Sequence, residues 1–192
     1  MRKLSLLALA FGAALAIQSC GGTKTSTEKA DSANVVKMGD TTKAPSITVD
    51  TTDAEFAVKA ANGGMAEVAV AKLAQTKTTN AKVKAFADMM VSDHGQANEE
   101  LMVLAKSKNI TLPATVTPDK QNEMDELSKK TGADFDKAYV DAMVDGHKKT
   151  VSMFEDESKN AQDPDIKAFV NKILPVLKMH LQHIVTLKAG MK

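Results

Sequence analysis

From Asn80 to Lys108 the chain reads NAKVKAFADMMVSDHGQANEELMVLAKSK, and its apolar residues repeat with one period. Val83, Phe86, Ala87, Met90, Ala97, Leu101, Leu104 and Ala105 fall three and four apart. That spacing marks one face of an α-helix and does not match the two-residue alternation of a strand. A helix with such a stripe is stable only when the stripe is covered, so the segment demands partners with stripes of their own. At about 100° per residue, His94 lies near the middle of the stripe, roughly 20° from the directions of Val83 and Leu101. An imidazole stands where a leucine is expected.

The matching partners follow along the chain. Thr51-Thr52-Asp53 reads as a helix N-cap, with Asp53 and Glu55 suited to the positive helix end. From there to Lys77 the stripe is Phe56, Ala60, Gly64, Ala71 and Ala74. Gly63-Gly64 weakens this helix by about 1 kcal/mol per glycine, which points to close approach of a neighbour. Glu67 lies roughly 20° from the Phe56 direction and so points inward. Thr78-Thr79-Asn80 makes a tight link and caps the next helix, predicting an antiparallel hairpin. Residues 110–117 hold Pro113 and read as extended. Pro118 then opens a short helix, PDKQNEMDELSKK, able to lay Met124 and Leu127 on the bundle.

A third long helix runs from about Ala133 to Lys159, with Phe135, Tyr139, Ala142, Met143, His147, Thr150, Val151 and Phe154 inward. The fourth starts at Asp163-Pro164 and carries Ile166, Phe169, Val170, Ile173, Leu177, His180, Leu181, Ile184 and Leu187 inward, with His183 at the margin. Pro175 removes a donor to the Asn171 carbonyl, so a kink or local hydration is expected there. Absence of Trp, a single Tyr and eleven Met also favour helices over a β-sandwich. The fold class is therefore all-α: a four-helix bundle over 51–192, with a long connection between the second and third helices carrying a short helix.

The front of the chain reads as an address. In MRKLSLLALAFGAALAIQSC, Arg2 and Lys3 precede an apolar run from Leu4 to Ile17, and Ser19 precedes the one cysteine of the chain. This is the layout of a signal peptide over 1–19, too short for a membrane span. A lone Cys20 has no partner for an intramolecular disulfide. Ile17-Gln18-Ser19-Cys20 resembles the lipobox of bacterial lipoproteins, which implies acylation of Cys20 and anchoring in membrane lipid. By the same resemblance, Gly21 after the cysteine favours the outer membrane, with the domain in the periplasm or at the cell surface. Residues 20–50, rich in Thr, Ser, Lys, Gly and Asp without sustained periodicity, read as a flexible tether. The formal charge of +1 falls to −1 once Arg2 and Lys3 are removed, and no basic stripe suggests a nucleic-acid partner. The sequence names no protein partner.

Glu67, His94 and His147 each lie about fourteen residues into their helix and His180 about sixteen, so at 1.5 Å per residue all four fall near mid-height. One ligand-type side chain per helix at one level is how metal sites are built in bundles. Three imidazoles and a carboxylate suit one zinc, copper or iron ion. Met90 and Met143, one turn before His94 and His147, add a Met/His pattern that copper uses, though methionine is first a core filler. The same four residues also suit a metal-free polar network of structural or pH-sensing character. No nucleophile elbow, phosphate-cradling glycine loop or H-E-x-x-H is present, so no catalytic residue is assigned. Asp93, pointing about 100° from His94, is expected at the bundle rim.

These residues carry a family resemblance. Phe56, Ala60-Ala61, Glu67-Val68, VKAFADMMVSDH over 83–94, Leu101, Leu112-Pro113, GADFD over 132–136, Tyr139, Met143, His147, Leu174-Pro175, Leu177 and His180 resemble the bacterial DUF4142 family. The resemblance spans essentially residues 53–187. It implies a ferritin-like helical domain exported to the envelope and brings no established reaction. True di-iron ferritin-like sites pair Glu-x-x-His on two helices with Glu on the others. Here Val91 and Leu177 stand three before His94 and His180, which argues against a di-iron ferroxidase or oxygenase and limits the site to one metal.

Overall fold

The computed structural model describes residues 23–39 and 49–191. The expected signal peptide, Cys20 and residues 40–48 of the expected tether lie outside the described residues. Among the described residues six helices form: α1 (Ser26–Gly39), α2 (Thr51–Lys77), α3 (Ala81–Ser107), α4 (Pro118–Ser128), α5 (Gly132–Asn160) and α6 (Pro164–Ala189). The described residues contain no strand, and none of their helices is long and apolar enough to cross a membrane.

Local chemistry sets the ends. Asn80 Oδ1 accepts from the amides of Lys82 and Val83, opening α3. Asp163 does the same for Asp165 and Ile166, with Pro164 next to it at the start of α6. The α3 terminus is closed by Asn109 at φ 58° and by Ile110 N donating to Ala105 O at 2.8 Å, a left-handed helix stop. The start of α2 departs from the sequence expectation. Its cap is Asp50, which accepts from Thr52 N at 2.8 Å. Asp53 is fully buried and accepts from Gln162 N and Asp163 N, pinning the α5–α6 turn across the bundle. A helix-end acid thus serves a tertiary contact.

α2 pairs with α3 and α5 with α6, and the hairpins join through α2 on α5 and α3 on α6. Two apolar clusters reveal the direction of each helix. One gathers the start of α2 (Phe56), the end of α3 (Leu101), the end of α5 (Phe154) and the start of α6 (Ile166, Phe169). The other gathers the end of α2 (Ala74), the start of α3 (Phe86), the start of α5 (Tyr139) and the end of α6 (Ile184). α3 and α5 therefore run the same way, and the connection carrying α4 returns the chain along the bundle. α4 lies on α2 and α5, burying Leu127 and packing Met124. α6 is one helix across Pro175.

The glycine pair of α2 divides in role. A Cβ at Gly64 would meet the Asn98 side chain of α3 at 3.0 Å or less, so any larger residue requires Asn98 to swing away; at Gly63 the space is open. The other departure is α1, which occupies part of the segment expected to be a flexible tether. Its hold comes from side chain to backbone bonds rather than an apolar stripe. Asn34 donates to Thr111 O at 3.0 Å and accepts from Thr111 N at 2.7 Å. Ser26 Oγ accepts from Ala114 N and Thr115 N, and Lys37 reaches Asn109 O.

Beside Asp53, Glu157 has its carboxyl pushed up to about 7, by burial first and then by the charge of Asp53 and a hydrogen bond with it. Its folded value exceeds the ordinary 4.5. Its contribution is thus fully present below about 4.5 and is lost as pH rises through about 7. Glu157→Gln is expected to raise stability at pH 8 by no more than about 1 kcal/mol after solvent screening, and to leave it nearly unchanged at pH 4.5. Urea midpoints of both proteins at the two pH values check this.

Candidate metal centre

Between the two apolar clusters lies a polar layer supplied by the four long helices. Glu67 comes from α2, His94 from α3, His147 from α5 and His180 from α6, and all four are buried, His147 and His180 completely. The helical stripes that bury Phe86, Met143 and Leu177 carry these residues inward by the same periodicity. One ring nitrogen from each of His94, His147 and His180 lies within 4.8 Å of the other two. The structure thus brings together the three histidines that the sequence singles out and sets Glu67 behind them.

Each imidazole is held from its outer side. His94 Nδ1 lies 2.9 Å from Glu67 Oε2, at ion-pair distance but off the line of an aligned hydrogen bond. His180 Nε2 lies 2.9 Å from Asp93 Oδ2 and donates to it. His147 Nδ1 lies 2.9 Å from the Met143 carbonyl, one turn back, which can only accept. For His180 and His147 these outer bonds place the ring proton outward and leave lone pairs on His180 Nδ1 and His147 Nε2. His94 Nε2 stands 3.3 Å from His180 Nδ1, within hydrogen-bond distance. His147 Nε2 is buried with no hydrogen-bond partner. Glu67 Oε1 accepts from Thr150 Oγ1 at 3.4 Å and lies 3.9 Å from His147 Nδ1.

The charge states follow from the surroundings. Burial would raise Glu67, but its contact with His94, the fields of His94 and His147 and the Thr150 hydroxyl outweigh that and hold it below the usual carboxylate range. Burial pushes His147 down, against the field of Glu67. Burial also pushes His180 down, against its hydrogen bond to Asp93. Two neutral imidazoles and an ionised carboxylate therefore share one dry layer.

Asp93 is the residue that sequence reasoning missed. It does stand at the rim, with its side chain 34% exposed, but it turns towards α6 and orients His180. The available signal was an acid next to a core histidine on the side facing another helix. His183 stays outside the layer, exposed, with its ring on Phe86 at 5.5 Å. Phe86 also lies within 6.5 Å of the His147 and His180 rings, closing the layer on one side. On the other, a pocket of about 220 Å³ between α3 and α6, lined by Asp93, His94, Glu100, Lys172 and His180, leads to solvent. The Lys172–Glu100 ion pair at 2.7 Å is among its lining groups.

In chemical terms the layer offers three convergent imidazole nitrogens, backed by two carboxylates and a carbonyl. Metal-binding histidines are typically oriented in this way. Two nitrogens bound to one tetrahedral ion at 2.0–2.1 Å stand roughly 3.3 Å apart, the separation of His94 Nε2 from His180 Nδ1.

A family model described as "Domain of unknown function (DUF4142)" matches residues 38–187. Comparison with curated proteins finds no match. Among solved structures, a DUF305 fragment from Deinococcus radiodurans is similar with a TM-score of 0.67 and 10% identity, over 74% of this chain and 98% of that one. CopM in its Cu(II)-bound form is similar at 0.63 and 15% identity, over 73% and 97% of the two chains. CopM in its Cu(I)-bound form follows at 0.61 and 14%, over 72% and 96%. At these identities the likeness is one of helical fold.

The layer predicts opposite costs for two metal-free variants. His94→Leu strands the Glu67 charge in the core and is expected to cost about 3 kcal/mol. His147→Leu removes an orphaned nitrogen and is expected to change stability by less than about 1 kcal/mol. Chemical denaturation in the presence of a chelator measures both.

Proposed function

Because the chain belongs to the DUF4142 family, whose description assigns no reaction, its activity has to be read from the polar layer, and we propose that it binds a divalent transition-metal ion there. The ligands are His94 Nε2, His147 Nε2 and His180 Nδ1; Glu67 and Asp93 orient His94 and His180 from behind. The observation that carries this reading is His147 Nε2, a fully buried nitrogen with no partner. A self-sufficient polar network would pair that nitrogen, because an unsatisfied buried polar atom costs about 1–3 kcal/mol. A metal ion pairs it and also takes both His94 Nε2 and His180 Nδ1, which stand 3.3 Å apart.

Charge balance favours a dication. Imidazoles bind a metal as neutral ligands, so the positive charge of a divalent ion would be offset by the buried Glu67 carboxylate beside them and by Asp93 at the rim. All-nitrogen donation suits zinc and copper(II), and iron(II) less strongly. CopM, similar in fold, is known in Cu(II)-bound and Cu(I)-bound forms, which makes copper(II) the first ion to load here. The protein's own contribution is to hold three imidazoles at one point and exclude water on the Phe86 side. The ion would supply Lewis acidity or simply be carried, and the residues in hand assign no catalytic step.

The reading extends to location. Cys20 after an apolar run supports an exported lipoprotein whose acyl chains hold this domain at the bacterial envelope. Cys20→Ser is expected to move the protein from the membrane fraction to the soluble fraction, as fractionation would show.

The decisive test is metal loading of tag-free protein. One equivalent of copper(II) or zinc is expected to bind, adding about 2.7 kcal/mol of stability at a free ion concentration of 100 Kd. His94→Ala, His147→Ala and His180→Ala should abolish binding, and Asp93→Asn should weaken it about 10–100-fold. Protein that takes up no zinc, copper or iron and gains no thermal stability would leave the layer as a structural network.

A further inference from the structure

A second site stands at the far end of the bundle, independent of the histidine layer. Asp136, in the second turn of α5, is 6% exposed, and its Oδ1 is buried without any hydrogen-bond partner. The other two deeply buried acids have donor or positive groups beside them, Glu67 Oε2 through its 2.9 Å contact with His94 and not through an aligned hydrogen bond. Asp53 accepts two backbone amides, and Glu67 sits on His94 and Thr150. A carboxylate oxygen withdrawn from water with no donor is costly, and such an atom points to something outside the chain that completes the group.

Asp136 lines a cavity of about 720 Å³, where α3 and α5 begin and α6 ends. Ala81, Ala85, Ala133 and Leu187 give it apolar walls, and His183 and Thr186 contribute polar atoms. The Thr186 hydroxyl donates to Gln182 O at 2.9 Å, so its oxygen faces a ligand only as an acceptor. The last turn of α6 adds the negative end of one helix dipole, but the first turns of α3 and α5 bring two positive ends, so the attraction for a cation rests on the Asp136 carboxylate itself. Lys82 lines the same cavity, but its side chain is exposed to solvent and makes no hydrogen bond to Asp136. The volume lies within the 300–1,000 Å³ range of small-molecule pockets and greatly exceeds a bare ion.

We infer that this cavity binds a small organic ammonium, its charged nitrogen on Asp136 and its apolar body against Ala81, Ala85, Ala133 and Leu187. An ammonium has three donors and no acceptor, which complements a carboxylate and a threonine oxygen that can only accept. An alcohol of the same length lacks the charge, and a carboxylic acid reverses it.

The test uses the full chain in chelator, so the histidine layer plays no part. n-Pentylamine, pentan-1-ol and pentanoate are each titrated while amide resonances are followed by NMR. Pentylamine is expected to give saturable shifts at Asp136, His183 and Thr186. Asp136→Asn should weaken it at least tenfold, with helix content unchanged by circular dichroism. Should that variant fail to fold, Ala85→Trp, at an exposed position of α3, fills the cavity without touching the carboxylate and should abolish the shifts. No saturable shift with pentylamine would overturn the inference. So would binding of pentan-1-ol or pentanoate as tight as that of the amine, or undiminished binding to both variants.

Discussion

The contact between Glu67 and His94 at mid-bundle is the interaction that the rest of the structure has to accommodate. A carboxylate removed from water needs positive or donor groups around it, and only other helices can bring them there. His94, His147 and Thr150 supply them, and the apolar core is split in two as a result. Phe56, Phe154, Ile166 and Phe169 pack on one side of the layer; Phe86, Phe135, Tyr139 and Ile184 pack on the other. Each half holds helices by surface burial, which is tolerant of sliding. The polar layer is not: a shift of one helical turn, about 5.4 Å, would separate every pair within it. The layer therefore locks a register that the apolar halves only favour.

Three different devices orient the three imidazoles. Glu67 sits behind His94, Asp93 behind His180 and the Met143 carbonyl behind His147. Because the Met143 carbonyl and the Asp93 carboxylate can only accept, the His147 and His180 rings keep a lone pair towards the centre. The convergence of nitrogens follows from hydrogen-bond chemistry one step further out, so the distances and the tautomers support the same metal-binding reading. The pocket between α3 and α6 reaches two of these rings, while Phe86 packs against the layer from the Tyr139 side.

Much of this was legible in order of locality. The caps at Asn80 and Asp163 act within three residues, so the helix starts can be read where they occur. The inward positions of Glu67, His94, His147 and His180 follow from helical period alone, and their common height from counting residues. What escaped was held by distant partners. The N-terminal helix α1 has no useful stripe and depends on Asn34 bonding Thr111, 77 positions away. Asp53 looks like a helix-end acid until the α5–α6 turn, 109 positions on, is found donating to it. Asp93 looks like a solvent-facing neighbour of His94 until α6 packs beside it.

Taken by itself, the sequence determined four amphipathic helices, their approximate ends and a polar residue in each at one level. Those properties depend on the period of the helix and on short-range capping, which involve a residue and its near neighbours. Tertiary structure alone decided that α3 and α5 run parallel, that Glu67 stands behind the histidines instead of beside them, and that Asp93 completes the set. Which nitrogen of each imidazole faces inward depends on a hydrogen-bond acceptor outside the ring, and for His94 and His180 that acceptor comes from another helix. Spacing along the chain carries no information about that choice.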